Sequence, residues 1–254
     1  MSTFVLIHGG WHIPASYSEF TTTLRNLGHE VHVPRLVSVN GARPPNADLY
    51  TDTDLIRSYV SSLVEAGRSV TVLMHSYGGQ VGTNALEGLG AETRVAQGLK
   101  GGVTGLVYIT ANALKEGESM FDVVAAHGHA DWMPLAFDFA DDRTCVSRDP
   151  KGLVVGPGRS DAETDAYIAT LQRWNGDGMY GKLRACAWRD IKNVGVVLAT
   201  QDMTIPLDYQ REFVQTMEEG GCAVRTWEVE TGHCPTFTKF EEVAKIVHEF
   251  VDGR

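Results

Sequence analysis

Short apolar runs alternate with longer helical patterns along most of the chain, and this alternation restricts the folds open to it. The runs predict strands at residues 3–7, 30–33, 70–75, 103–109, 195–199 and 224–229. They lack the every-second-residue pattern of half-exposed strands, which is typical of strands covered on both faces. Alternating strands and helices form mostly parallel sheets with helices on both faces. We therefore expect an α/β fold with a mostly parallel six-stranded sheet.

Helical patterns lie between these runs, at residues 16–27, 52–66, 78–89, 207–218 and 240–251. In the last of them, Val243, Ile246, Val247 and Phe250 recur at the spacing that places side chains on one face of a helix. A length of 254 residues is normal for one α/β unit. We expect a single structural unit.

The alternation breaks between residues 112 and 190, where Gly and Pro interrupt short helical patterns at 120–126, 162–174 and 179–187. We expect residues 112–190 to form a helical cap (lid) inserted before the penultimate strand. Residues 1–111 and 191–254 would form the core. A cap in this position would cover the C-terminal edge of the sheet, where open α/β sheets bind ligands.

A serine follows the third predicted strand in the run His75-Ser76-Tyr77-Gly78-Gly79. Such a strand-to-helix turn can hold a hydroxyl on a sharp corner above a parallel sheet. The neighbouring positions must be small because the helix backbone passes close to the strand there. Ser76 is therefore the candidate nucleophile.

A serine hydroxyl is a weak nucleophile and needs a base, which in turn needs a group to orient it. His233 follows the last predicted strand, and Asp202 follows the penultimate one. Both should lie at the same sheet edge as Ser76, so we predict that His233 is the base and Asp202 its partner. Asp190 is a weaker alternative acid, because it precedes its strand. Each residue alone has a structural explanation, such as helix capping by Asp202.

The turn after the first strand, residues 8–12, contains two glycines and is suited to present a backbone N–H to an oxyanion. We predict that the N–H groups of Gly10 and Tyr77 form the oxyanion hole. From the same turn we expect Trp11 and His12 to contact substrate. Most aromatic residues of the cap should form its own core, but we expect Trp132 to line an apolar substrate pocket.

The formal net charge of −10 disfavours a nucleic-acid partner, since phosphate binding needs a basic surface. We expect no membrane segment and no secretory signal, and hence a cytoplasmic protein. The four cysteines lack metal-ligand spacing and are expected to be free thiols. The close histidine pairs lack carboxylate or thiol neighbours, so we predict no metal and no cofactor. The expected partner is a small-molecule substrate, and a homodimer formed through the cap stays open.

These motifs resemble those of the α/β-hydrolase superfamily, and most of all its small six-stranded branch, which includes plant methylesterases and hydroxynitrile lyases. The resemblance covers nearly the whole chain and is loosest in the cap. It is carried by the runs FVLIHGGWH at 4–12, GHEV at 28–31, HSYGG at 75–79, TQD at 200–202 with IP at 205–206, and GH at 232–233. The order Ser, Asp, His along the chain is also similar to that of the superfamily.

Two departures from the family pattern matter. Met74 stands where the G-x-S-x-G pattern has its first glycine, which demands more room between strand and helix. The cyanide-releasing members carry a threonine in the first turn and a lysine after the catalytic histidine, whereas this chain has Gly9 and Cys234. The resemblance therefore favours ester hydrolysis over cyanohydrin cleavage.

The function predicted from sequence is hydrolysis of a small apolar or aromatic carboxylic ester or lactone through an acyl-enzyme. Two alternatives stay open. The same three residues could cleave a carbon–carbon bond, or close or open a ring, in secondary metabolism. A non-catalytic ligand receptor is the other alternative, although the triad is intact.

Overall fold

The computed structural model describes residues 1–253, and its centre is a six-stranded parallel sheet. The strands of the chain are β1 (Thr3–Ile7), β2 (Glu30–His32), β3 (Ser69–His75), β4 (Gly102–Ile109), β5 (Phe137–Phe139), β6 (Thr144–Ser147), β7 (Trp174–Asn175), β8 (Asn193–Ala199) and β9 (Ala223–Val229). The central sheet has the order β2-β1-β3-β4-β8-β9, and each neighbouring pair is parallel. The predicted α/β fold is confirmed, and each of the six predicted strands is present with its end shifted by at most two residues.

Helices cover both faces of this sheet. The helices of the chain are α1 (Ser18–Asn26), α2 (Leu49–Glu65), α3 (Tyr77–Ala85), α4 (Ala91–Ala96), α5 (Met120–Ala126), α6 (Met133–Ala136), α7 (Asp161–Ile168), α8 (Leu207–Glu219), α9 (Pro235–Thr238) and α10 (Phe240–Asp252). Helices α1 and α10 pack on one face, and α2, α3 and α8 pack on the other.

Alternate residues of the inner strands β1, β3, β4 and β8 belong to two separate cores, because successive side chains of a strand point to opposite faces. In β1, Phe4 and Leu6 join the core beneath α1 and α10, whereas Val5 and Ile7 join the core beneath α2 and α3. All four side chains are fully buried. This double coverage explains why the inner strands are largely apolar, whereas the edge strands β2 and β9 are partly exposed and contain charged residues.

The chain between β4 and β8 contains α5, α6 and α7 together with a three-stranded antiparallel sheet of order β5-β6-β7. The sequence patterns predicted helices here but not this sheet. The predicted helix 162–174 ends at Ile168, and Trp174 instead pairs with Cys145 in the small sheet. The helix predicted at 179–187 is wrong, since residues Gly176–Tyr180 form a short 3-10 turn. Burial of the Trp174 ring, which is 1% exposed, outweighs local helix propensity.

Two further sequence expectations concern thiols and membranes. Cys145, Cys186, Cys222 and Cys234 are unpaired and buried, which confirms the prediction of free thiols. No helix within residues 1–253 combines the length and the apolar character needed to cross a bilayer.

Candidate functional site

Ser76 lies at the junction between β3 and α3 with φ 54° and ψ −123°. A non-glycine residue in this region is strained, and such strain is typical of a residue held by its surroundings for function. The next glycines allow the close approach that the corner needs. A Cβ on Gly78 would lie against the carbonyl oxygen of Ile7, and one on Gly79 would lie 2.8 Å from the carbonyl oxygen of Asn112.

The three residues selected from the sequence form one row of hydrogen bonds. The Oγ of Ser76 lies 2.8 Å from Nε2 of His233, and Nδ1 of His233 lies 2.8 Å from Oδ2 of Asp202. Because an ionised carboxylate only accepts hydrogen bonds, Nδ1 carries the imidazole proton and Nε2 is free to accept from the serine. All three residues are at most 5% exposed, which keeps competing water away from the row.

Asp202 is oriented by its own loop. Its Oδ1 accepts hydrogen bonds from the backbone N–H groups of Thr204, at 2.8 Å, and Ile205, at 2.9 Å. The other oxygen is thereby directed at His233. The alternative acid, Asp190, accepts instead from the backbone N–H of Gly88 at 2.9 Å, which places it in a separate group of contacts.

The turn after β1 packs against this row. A Cβ on Gly9 would lie 3.1 Å from both Nδ1 of His75 and Cβ of Ser76, and one on Gly10 would lie 2.8 Å from the indole of Trp174. Trp11 has φ 63°, so the backbone changes direction just after Gly10. The backbone N–H of Tyr77 lies at the N-terminus of α3, where helix N–H groups lack partners within the helix. The two predicted oxyanion donors thus belong to elements that meet at Ser76.

The three residues predicted to contact substrate lie in two different places. Trp11 is 5% exposed and donates from Nε1 to the carbonyl of Cys145 at 3.1 Å. His12 is 1% exposed, and its Nδ1 lies 2.7 Å from the carbonyl oxygen of Gly10, behind the turn. Trp132 is 57% exposed and stacks on His129 with ring centroids 3.8 Å apart.

Trp132 borders an apolar cleft of about 390 Å³ between the cap and the loop that follows Asp202. The cap contributes Met133 and Phe137 among others, and the loop contributes Met203. The Phe137 ring also stacks on Trp11, with centroids 5.4 Å apart. One aromatic ring therefore connects the wall of the cleft to the turn that carries Gly10.

A buried polar network that the sequence analysis missed lies on the other side of Ser76. The carboxylate of Asp52 accepts from the Tyr77 hydroxyl at 3.0 Å, from the Ser38 N–H at 3.0 Å and from the Ser38 hydroxyl. Ser38 Oγ in turn accepts from Nε1 of Trp174 at 3.1 Å. Burial raises the pKa of Asp52, and its three donors act in the opposite direction. Asp52 was hidden in the sequence because a lone acid in an amphipathic helix usually faces solvent.

Within residues 1–253, one cluster of metal-ligating residue types is compact enough to suggest a metal site. It consists of His12, His75 and Cys234, whose candidate ligand atoms lie within 4.8 Å of one another. Their chemistry fits hydrogen bonding better. Burial raises the pKa of Cys234 to about 11, so the thiol keeps its proton, whereas metals bind thiolates. The Nδ1 of His75 is already 2.6 Å from the Tyr17 hydroxyl.

Comparisons with known proteins agree with this fold. The profile of the alpha/beta hydrolase family matches residues 4–246. The probable hydrolase R7 from Phoma sp. is 26% identical over 249 residues, which is 97% of each chain. An extracellular alpha/beta-hydrolase from Paenibacillus superposes with a TM-score of 0.75 at 21% identity over 98% of each chain. A methylesterase from Arabidopsis superposes with a TM-score of 0.74 at 13% identity over the full length of both.

A serine on a strained strand-to-helix corner above a parallel sheet is an arrangement known from hydrolytic enzymes. The family match spans nearly the whole chain, and the protein belongs to the alpha/beta hydrolase family. Its similar structures include a methylesterase from Arabidopsis, with which it shares the fold.

Proposed function

We propose that this hydrolase cleaves small, apolar or aromatic carboxylic esters or lactones through Ser76, His233 and Asp202. The observation that carries the proposal is the row of two 2.8 Å contacts from Ser76 through His233 to Asp202. His233 takes the Ser76 proton as the hydroxyl oxygen attacks the carbonyl carbon, and Asp202 stabilises the resulting imidazolium. Collapse of the tetrahedral intermediate releases the alcohol, which takes the proton from His233. Water then attacks the acyl-enzyme by the same steps, and the acid leaves.

The developing negative charge on the carbonyl oxygen needs donors that are fixed before the reaction starts. The N–H groups of Gly10 and Tyr77 supply them in this proposal. Cys234, at the position where the cyanide-releasing members carry a lysine, is a neutral buried thiol whose pKa is raised to about 11. A neutral thiol stabilises no cyanide anion, which supports ester hydrolysis over cyanohydrin cleavage.

The cleft beside Trp132 supports this substrate class. Its lining is mostly apolar, and ligand sites of this composition favour apolar and aromatic groups. We place the apolar part of the substrate there, with Phe137 between it and the turn of Gly10 and Trp11. The methylesterase named among the similar structures is consistent with an ester substrate.

Labelling with a fluorophosphonate and hydrolysis of p-nitrophenyl acetate test the nucleophile. We expect Ser76→Ala to abolish both, and Ser69→Ala, an exposed serine at the opposite end of β3, to leave both unchanged. The proposal would be overturned if the Ser76→Ala variant hydrolysed the ester at the wild-type rate, or if the fluorophosphonate labelled it to the same extent as the wild-type protein.

Aryl and alkyl esters test the cleft. Trp132→Ala should raise KM for 1-naphthyl acetate about tenfold and leave KM for ethyl acetate within about twofold, since burying an aromatic ring is worth a few kcal/mol. Val95→Ala, at another exposed apolar residue, on α4, is the control. Equal effects of the two variants on the naphthyl ester would contradict this placement.

A further inference from the structure

Tyr17 and His75 are buried polar side chains that the proposed reaction does not use, yet they connect three loops of the site, those of Gly9, Ser76 and His233. Tyr17 lies just before α1 and is fully buried, as is His75, the residue before Ser76. The Tyr17 oxygen lies 3.0 Å from the backbone nitrogen of Gly9 and 2.6 Å from Nδ1 of His75. The other ring nitrogen of His75 lies 2.9 Å from the carbonyl oxygen of His233.

The direction of each of these three hydrogen bonds can be assigned. The carbonyl of His233 can only accept, so Nε2 of His75 carries a proton. Burial lowers the pKa of His75 well below its ordinary value, so the ring is neutral and Nδ1 bears no proton. Nδ1 therefore accepts from the Tyr17 hydroxyl. The Tyr17 oxygen, having used its one proton, accepts from the Gly9 N–H.

The resulting series of hydrogen bonds runs from Gly9 through Tyr17 and His75 to His233, and each donor in it has one acceptor. It starts in the turn of the predicted oxyanion hole, passes through the residue next to the nucleophile, and ends on the backbone of the predicted base. The His233 carbonyl also lies 2.9 Å from the Thr110 hydroxyl, so its position is fixed from two sides. His12, whose ring packs 5.2 Å from that of His75, is held separately by Gly10.

We infer that Tyr17 and His75 are positioning residues that hold the oxyanion turn and His233 in register with Ser76. The inference rests on the proposed function, because it concerns the same reacting groups. Neither side chain touches the substrate or exchanges a proton with it. Their contribution is geometric, and misplacing a reacting group by about 1 Å can cost about 100-fold in rate.

Tyr17→Phe tests the inference, because it removes only the shared hydroxyl and keeps the ring. Its matched control is Tyr108→Phe, since Tyr108 is also fully buried and its hydroxyl has one partner, Thr83 Oγ1, at 2.7 Å. We expect Tyr17→Phe to lower kcat for p-nitrophenyl acetate at least about tenfold with KM within about twofold. Tyr108→Phe should leave kcat within about twofold. Tyr17→Phe loses two buried hydrogen bonds and Tyr108→Phe loses one, so both should unfold at a lower temperature.

A second measurement needs no variant. In the intact protein labelled with ¹⁵N-histidine, NMR should show His75 as the neutral tautomer with its proton on Nε2. A proton on Nδ1 would overturn the inference, as would a kcat for Tyr17→Phe equal to that of Tyr108→Phe. Ser76→Ala separates the two proposals. If it is inactive while Tyr17→Phe equals the control, the positioning role fails and the proposed nucleophile stands.

Discussion

The indole of Trp174 occupies the space that a side chain on Gly10 would need. A Cβ on Gly10 would lie 2.8 Å from Cε3 of that ring. Trp174 belongs to β7 of the cap, and Gly10 to the turn after β1, so the cap packs directly on the predicted oxyanion turn. The Nε1 of Trp174 is bound to Ser38 Oγ, which fixes the ring at this contact. The position of the cap and the position of the Gly10 N–H are thereby coupled.

Gly10→Ala should therefore impair catalysis without removing any hydrogen-bond donor. The added methyl group must displace either the turn or Trp174, and we expect kcat for p-nitrophenyl acetate to fall about 100-fold. Trp174→Leu combined with Gly10→Ala relieves the overlap and should recover part of the loss relative to Gly10→Ala alone. Wild-type kcat in the single variant would show that the contact does not position the turn.

The sequence predicted those elements whose signal is local. The inner strands β1, β3, β4 and β8 are almost wholly buried on both faces, so each is an apolar run that stands out from its neighbours. The small sheet of the cap gave no such signal, because Trp174 pairs with Cys145 across almost thirty residues and its strand has only two residues. Ser76, His233 and Asp202 were found because each follows a strand. Tyr17 and Asp52 were missed because their roles arise from partners distant in sequence.

The room for Met74, the residue that departs from the G-x-S-x-G pattern, comes from Gly82 on α3. A Cβ on Gly82 would overlap Sδ of Met74 and lie 2.9 Å from Cδ1 of Ile7. Gly82→Ala should therefore overpack the interface and lower the free energy of unfolding by about 1–3 kcal/mol. Met74→Ala alone leaves a cavity that costs about 2–5 kcal/mol.

The double variant Met74→Ala with Gly82→Ala is the sharper measurement, because the new methyl group enters the space that the shortened side chain vacates. Urea denaturation should give a loss smaller than the sum of the two single losses by about 1 kcal/mol or more. Combining Gly82→Ala with Val247→Ala, in the core on the opposite face of the sheet, provides the control and should be additive. Additivity in both pairs would mean that Met74 and Gly82 do not share this space.

Acid should destabilise the protein through its buried histidines. Burial lowers the pKa of His8 to about 4 and that of His12 to about 3, from the ordinary 6.5. Below pH 6.5 these two histidines are protonated in the unfolded chain but stay neutral in the native protein, so the unfolded state binds more protons. The free energy of unfolding should fall as the pH drops from 6.5 towards 4, by at most about 1.4 kcal/mol per pH unit for each histidine.

His12→Asn isolates one of these histidines, because an asparagine amide can keep the hydrogen bond that Nδ1 makes to the Gly10 carbonyl. Urea denaturation at several pH values between 4 and 7 should give a shallower pH dependence for this variant than for the wild-type protein. The same slope in both proteins would show that His12 is not held neutral in the native state.

Asp52 should be ionised in the native protein, and its replacement by an amide tests this. Trp174 donates to Ser38 Oγ, so the Ser38 proton must point to Asp52, and Tyr77 also donates to that carboxylate. In Asp52→Asn the amide NH2 group, which can only donate, would face the hydroxyl donors of Ser38 and Tyr77. The variant should therefore lower the free energy of unfolding by about 3 kcal/mol or more. Tyr77→Phe removes one donor and leaves the others matched, so it should cost less, about 1.5–3 kcal/mol. Chemical denaturation near pH 7 decides the matter: an asparagine variant as stable as the wild-type protein would mean that Asp52 is protonated and that the donor assignment is wrong.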